Sequence, residues 1–191
     1  MSFNSISLFK SAFGGGTRAN RFEVIGSFPT GINSANVPDI ASDLTTETKF
    51  KVFATTMPKA EVGTIQVPYR GRLLNFAGDR SYGFWSISVY DDNNTENLWK
   101  AFNIWKELLD GHITHTVANN DYDFSTLQKD WILNQLPING TPSGTLPLRT
   151  IVLKNCWPSQ VSNIDLDMAK ADQAIFNVVL TFDWYEITRG I

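Results

Sequence analysis

Cysteine, histidine and basic charge are all scarce in this sequence, and each shortage removes a class of function. A single cysteine, Cys156, excludes an intramolecular disulfide framework and a cysteine-rich zinc site. The two histidines, His112 and His115, stand three apart, a spacing that on a helix could set two imidazoles on one metal. They follow the helix-ending Gly111 and have no companion ligand, so they read as solvated loop residues and no metal site is expected. Lys and Arg number 16 against 19 Asp and Glu, a formal net charge of −3, whereas a basic nucleic-acid reader carries a strong positive excess. No stretch approaches the roughly 18 to 20 apolar residues that span a bilayer. Met1 to Phe13 has one Lys and lacks the apolar run of a signal peptide. The expected setting is a reducing cytosol, or export by a route that needs no signal.

What is present is material for a β-rich core. The chain has 191 residues, enough for one domain with extended arms, and 42% of them are hydrophobic. Aromatic residues reach 13%, a level that favours strands and large packing surfaces over a helical bundle. Ile6, Phe9 and Phe13 are spaced for a short amphipathic helix, which Gly14-Gly15-Gly16 ends. Alternating apolar positions predict strands over Arg21–Phe28, over Lys49–Ala54, at Ile65–Tyr69, over Leu73–Ala77 and at Trp85–Tyr90. Pro29–Glu47 is polar and reads as one long loop. Leu98, Phe102, Trp105 and Leu109 fall on one face of an α-helix, with Asn93 or Asn94 as cap and Gly111 just past its end. Three more strands are predicted at Leu127–Leu136, Arg149–Trp157 and Ala174–Ile187. The last of these sets Phe176, Val178, Leu180, Phe182 and Trp184 on one face and Asn177, Val179, Thr181, Asp183 and Tyr185 on the other. The expected architecture is mainly β, an antiparallel barrel or sandwich with one flanking α-helix and extended loops.

The candidate chemistry yields no active site. Asp91 to Glu96 lacks the glycine and the twelfth-position carboxylate of a calcium loop, and a helix N-terminus explains its acids. Asp165 and Asp167 alternate with Ile164, Leu166 and Met168 and read as the exposed side of an edge strand. The triple glycine is followed by no Lys-Ser/Thr pair, so it is no phosphate loop. Cys156 reads as a small buried side chain. No cofactor is expected. What remains is a cluster of Arg70, Arg72, Asp79 and Arg80 around Gly71 and Gly78, either a charged hairpin edge that discourages aggregation or a contact loop that pairs with a neighbouring copy.

Two blocks of sequence resemble the tail tube proteins of contractile-tailed bacteriophages. One is Asn75–Asp92, with Ala77-Gly78-Asp79-Arg80 followed by an aromatic and then Trp85 ahead of a strand. The other is Leu153–Glu186, with Asn155-Cys156-Trp157-Pro158, Val161, Ile164-Asp165-Leu166-Asp167 and the closing Asp183-Trp184-Tyr185-Glu186. The helix carrying Trp105 lies between them, and Asn20-Arg21-Phe22 and Met57-Pro58 look similar too. The resemblance runs in order from Asn20 to Glu186. It implies an N-terminal arm over 1–19 and a single domain over 20–191, with polar insertions at about 31–47 and 134–148.

The resemblance further implies a structural virion protein, not an enzyme, that assembles as homo-hexameric rings stacked into a hollow tube inside a contractile sheath. Such a tube is a conduit for DNA, which passes without specific binding, and for the tape-measure protein. Other partners are the tail sheath protein, a baseplate or tube initiator and a tail terminator, with no membrane. The place of assembly is the host cytoplasm and the final location the phage tail. Arg70, Arg72, Asp79, Arg80 and Tyr82 are the candidate inter-subunit contacts, joined by the N-terminal arm and the Gly31–Glu47 loop. Ser86, Ser88, Asn177, Thr181 and Asp183 are the candidates to face the lumen. Alternatives are a tube-initiating baseplate protein or a type VI secretion ring protein of the same fold, and, in another class, a monomeric ligand-binding β-barrel.

Overall fold

The computed structural model describes residues 5–30, 32, 43–91, 98–112, 124–138 and 146–188. In chain order these form α1 (Ser5–Phe13), β1 (Phe22–Ile25), α2 (Leu44–Lys51), β2 (Val52–Thr55), β3 (Ala60–Tyr69), β4 (Arg72–Tyr82), β5 (Trp85–Tyr90), α3 (Leu98–Leu109), β6 (Lys129–Gln135), β7 (Arg149–Val161), β8 (Ile175–Thr181) and β9 (Trp184–Thr188). Every strand pairing is antiparallel. The fold is thus mainly β, as the alternation predicts, with α3 packed against β7.

The sheet runs β1-β6-β7-β8-β5-β2, and β9 joins it by pairing with β7. One strand, β7, serves two sheets. Its first part lies between β6 and β9, and its last part, Trp157–Val161, pairs with β8. The change of sheet happens at Asn155, which takes φ +58°, a conformation that asparagine tolerates better than most side chains. Its backbone N–H donates to Asp130 Oδ1 at 3.2 Å and its side-chain amide to Asp183 Oδ2 at 2.7 Å. Asp183 in turn donates its N–H to the Lys154 carbonyl at 3.1 Å. The corner therefore bends β7 and its returning neighbour together. The single strand expected over Ala174–Ile187 is two strands, broken at Phe182–Asp183. Phe176, Val178, Leu180 and Phe182 are buried as expected, but Trp184 is exposed and Tyr185 turns inward, because parity is lost at the corner.

The core is built on aromatic rings. Trp85, Trp105, Trp131, Phe102 and Phe176 are fully buried. Trp131 sits among them, 6.1 Å from Trp85, 5.9 Å from Phe102 and 5.6 Å from Phe28, ring centre to ring centre. A buried indole N–H needs an acceptor, and all three find a backbone carbonyl. Trp85 donates to Thr56 at 2.7 Å, Trp105 to Leu127 at 2.8 Å and Trp131 to Ser27 at 3.0 Å. Each core ring thereby holds a connecting segment.

Two expectations need correction. Pro29–Glu47 is not one loop: among its described residues, Leu44 begins α2, and β2 starts at Val52, later than the strand expected from Lys49. Asp43 caps α2, accepting from Thr46 N–H at 3.0 Å and from the Thr46 hydroxyl. The helix hides from pattern reading because Thr45, Thr46 and Thr48 are weak helix formers and only Leu44 and Thr48 are buried. Asp165 and Asp167 do not lie on an edge strand, since no strand runs between Val161 and Ile175. The expected caps Asn93 and Asn94 lie outside the described residues.

Gly26 shows how tightly this core closes. Its N–H donates to the buried Thr48 hydroxyl at 2.9 Å, which donates onward to the Thr45 carbonyl at 2.8 Å. A Cβ at Gly26 would meet Trp131 Cη2 at 2.6 Å and Thr48 Cγ2 at 2.8 Å. Gly26→Ala is therefore expected to cost about 1–3 kcal/mol, the range for overpacking a filled site. Urea unfolding followed by tryptophan fluorescence should show a lower midpoint at unchanged slope. An unshifted midpoint would mean that the Trp131 ring yields freely.

Candidate assembly surface

A long hairpin stands apart from the core. Among the described residues, strands β3 and β4 pair only with each other, and every residue from Glu61 to Ala77 is exposed. A two-residue turn joins them: Tyr69 pairs with Arg72 across Arg70 at φ +48° and Gly71 at φ +78°. Two positive φ values match the right-handed twist of the strands, and glycine supplies the second without strain. The register is Pro68 to Leu73, Val67 to Leu74, Gln66 to Asn75, Ile65 to Phe76 and Thr64 to Ala77, after which a bulge shifts the pairing to Val62 and Arg80. Gly63 and Gly78 face each other at that bulge, where a Cβ on Gly78 would lie 3.2 Å from the Gly63 backbone.

The candidate contact residues fall at three levels of this hairpin. Arg70 and Arg72 are at its tip, with the Arg70 guanidinium 5.3 Å from the centre of the Tyr69 ring. Asp79 and Arg80 are exposed beside the bulge. Tyr82 belongs to the root: it is half-buried, 6.0 Å from Phe182 and 5.6 Å from Tyr185, and ties the hairpin to the corner. Ion pairing near the root joins Lys59 to Glu61, which holds the Glu61 carboxyl below its ordinary range.

The lumen candidates are split in a similar way. Ser86, Ser88 and Asn177 share the outward face of β5 and β8, and Ser88 Oγ donates to Asn177 Oδ1 at 2.7 Å across paired positions. Thr181 pairs with Trp157 on β7, and its hydroxyl oxygen is enclosed. Asp183 is exposed but sits in the corner, accepting from Asn155. Sequence reasoning missed Asn155 itself and the full length of the hairpin. The second had a readable signal, two alternating runs about Arg70-Gly71; the first had none.

A second exposed element, α1, presents Ile6, Leu8, Phe9 and Phe13 and is followed by Gly14, Gly15 and Gly16, all at positive φ. His112 donates to the Glu107 carboxylate at 2.8 Å, holding that carboxyl below its usual range at the end of α3. His115 lies outside the described residues. Among the described residues no group of three metal-ligating side chains gathers. A cleft of about 510 Å³ lined by Asn103, Lys106, Glu107, Asp110 and Trp157 opens broadly to solvent.

A β body with an exposed apolar helix, α1, and a free-standing hairpin leaves two apolar surfaces uncovered. The chain belongs to the phage tail tube protein family, whose sequence model matches residues 17–188. It is 26% identical over 159 residues to the tail tube protein of Serratia phage KSP90, covering 83% of this chain and 81% of that protein. It is 25% identical over 138 residues to tail tube protein gp19 of Enterobacteria phage T4, covering 72% and 80%. Among solved structures, a chain of the sheath–tube complex of the extracellular contractile injection system PVC, in its extended state, aligns with TM-score 0.61 at 15% identity over 99% of both chains. A chain of the tube-terminating cap of the anti-feeding prophage aligns with TM-score 0.61 at 13% identity over 91% of both. At these identities the two structures show the shared fold. The protein is a tail tube protein, a structural component of the virion.

The lone thiol stands apart from these surfaces. Cys156 is fully buried next to the corner, and burial pushes its pKa up to about 12. The folded chain thus keeps a proton that the unfolded chain loses from about pH 9 upward. This contribution to stability is complete below that point and falls as pH rises from about 9 to about 12. Iodoacetamide at pH 8 is expected to leave the native protein unmodified and to label it fully in denaturant, as read by intact mass. Rapid labelling of the folded chain would contradict the buried placement.

Proposed function

We propose that this chain polymerises as stacked hexameric rings into the inner tail tube, the conduit for DNA and the tape-measure protein inside a contractile sheath. The observation that carries the reading is the free-standing hairpin on a tail tube fold. A two-stranded sheet is marginal in water by itself, and one that exposes Ile65, Val67, Leu74 and Phe76 is an element awaiting a partner surface. Copies that join through two different patches propagate as closed rings and open stacks. The sheath, a baseplate or initiator and a terminator are the partners proposed at the flank and the two ends. The solved assemblies of like fold, a sheath–tube complex and a cap, support that set. Assembly in the host cytoplasm follows from the same reading, with a purely structural role and no cofactor.

Dimensions and charge agree with a conduit. If each of six copies lends four strands, as the family resemblance implies, about 24 strands at ~4.8 Å spacing and ~40° tilt close a barrel of about 48 Å, leaving a bore of roughly 35–40 Å for a duplex about 20 Å wide. A formal charge of −3 per subunit gives about −18 for a six-fold ring. DNA affinity grows with the phosphates that Lys and Arg neutralise, so a net acidic ring does not trap its cargo.

Negative-stain electron microscopy of the concentrated protein tests the reading. Hollow tubes or six-fold rings with a bore wider than duplex DNA are expected. Featureless monomers at every concentration, even with a baseplate as seed, would point to an initiator or a ligand-binding barrel. Charge reversal at the hairpin, Arg72→Glu or Arg80→Glu, should shorten the tubes several-fold while leaving the thermal unfolding curve in place. Tubes of normal length from both variants would remove the hairpin arginines from the contact.

A further inference from the structure

The N-terminal arm is pinned at its root and hinged just before it. The Arg21 carbonyl accepts from the Leu136 N–H at 2.9 Å, which fixes the arm to the end of β6. Ahead of that point Gly14, Gly15 and Gly16 take φ +55°, +85° and +67°, a run of left-handed conformations that glycine alone adopts without strain. The run turns the chain back on itself: a Cβ on Gly16 would lie 2.7 Å from the Phe13 ring, and one on Gly15 3.8 Å from Ile138. Phe13 thereby reaches a cleft of about 340 Å³ that Pro137, Ile138 and Leu148 also line. Phe9 stacks on Phe13 with ring centres 5.5 Å apart. Ile6, Phe9 and Phe13, at steps of three and four, share one arc of α1. All three are nonetheless 59–64% exposed. The helix meets the cleft through Phe13 while Ile6 and Phe9 stand in water.

The apolar surface continues beyond that cleft. Leu148 also lines a second one, of about 350 Å³, with Met57, Pro58, Ile151, Tyr185 and Ile187. Met57 and Ile187 are 46% and 62% exposed there. Leu148 and Ile151 lie about 10 Å apart along an extended chain, and a helix of 9 residues is about 14 Å long. We propose that α1 is a lid of the free subunit, which turns about Gly14–Gly16, lays Ile6 and Phe9 along Leu148, Met57 and Ile187, and has to lift before copies join. The lid itself is independent of the tube reading above, and only its lifting rests on it. The chain's own helix is the occupant, because a short glycine tether holds it at an effective concentration of about millimolar, far above that of a second copy in dilute solution. Lys10 and Ser11 fall on the opposite arc of α1, so closure leaves the cation in water and clear of Arg149 at the cleft. Met57 and Pro58 lead into β3, and Tyr185 packs on Tyr82 at the hairpin root. Lifting the lid therefore uncovers the helix, both clefts and the root together.

Disulfide trapping decides it, because buried Cys156 does not compete for the new thiols. Phe9→Cys with Ile187→Cys joins the apolar arc of α1 to the cleft, and Ser11→Cys with Ile187→Cys is the control from the opposite arc. All three positions are exposed, and each pair is first checked for an unshifted thermal unfolding curve when reduced. Dilute free subunits are then oxidised mildly, and the bridge is followed by intact mass and non-reducing gel. The first pair should close within one chain at least ten-fold faster than the control. Gly14→Ala, Gly15→Ala and Gly16→Ala together, which stiffen the hinge and drive Phe13 off Gly16, should slow it to the control rate. Equal rates for the two pairs would overturn the lid, as would bridges that form only between chains, and an unchanged rate with the three alanines would overturn the hinge. The bridged subunits should stay out of tubes and enter them once reductant is added. Assembly of bridged subunits at the wild-type rate would show that the lid does not have to lift. Wild-type protein that forms no tube would overturn the tube reading and leave the trapping result standing.

Discussion

Trp131 is the constraint on which the rest of the body depends. Its ring is enclosed by Trp85 from β5, Phe102 from α3 and Phe28 from the segment after β1. Both sheets, the flanking helix and one connection thus share a single contact centre. Close-packed interiors transmit small changes in volume, and here the missing Cβ of Gly26 makes room for the ring. The indole N–H anchors Ser27 in turn. With Trp85 and Trp105 doing the same for Thr56 and Leu127, the aromatic cluster sets where three connections run. One of them leads directly into the hairpin, so the position of an element with no core of its own is fixed by rings inside the body.

The corner at Asn155 is the second necessity. A sheet that must present an outward face on β5 and β8 and also close over α3 needs a strand that belongs to both halves. The left-handed residue supplies the bend, and Asp130 and Asp183 satisfy the amides it exposes. Tyr82 packs edge-on against Phe182 and Tyr185 from the same corner. The hairpin root and the bend of β7 are therefore one structure. A change in the corner angle would therefore swing the hairpin, so a local hydrogen-bond cluster sets the direction of the most extended element.

Strong periods were legible in the chain and weak ones were not. α3 could be read because Leu98, Phe102 and Trp105 all reach the core, and β5 because Trp85, Ile87 and Val89 do. α2 could not, since three threonines argue against a helix and its stability comes from the Asp43 cap and the contact of Thr48 with Gly26. The last strand was half legible. Alternation carries no information about a corner, so its parity was extended past Phe182 and misplaced Trp184. On the exposed surface, the sequence places Arg70 and Arg72 about a turn and Ser88 and Asn177 on outward strand faces, and the structure has them there. Tyr82 looked like a surface contact because sequence cannot tell a residue in the hairpin from one at its root.

What unites these features is a division of chemistry by face. Apolar mass is concentrated inside the body, along the hairpin and on α1, while the charges sit at the hairpin tip, around the bulge, on α2 and α3 and at outward positions of the body's strands. Edge strands that expose apolar groups invite unselective pairing, and this hairpin exposes both edges. Its arginines and the bulge at Gly63 and Gly78 oppose flat edge-to-edge stacking, because like charges repel and a bulge raises the twist. Arg70 and Arg72 therefore keep the tips of two hairpins from pairing with each other.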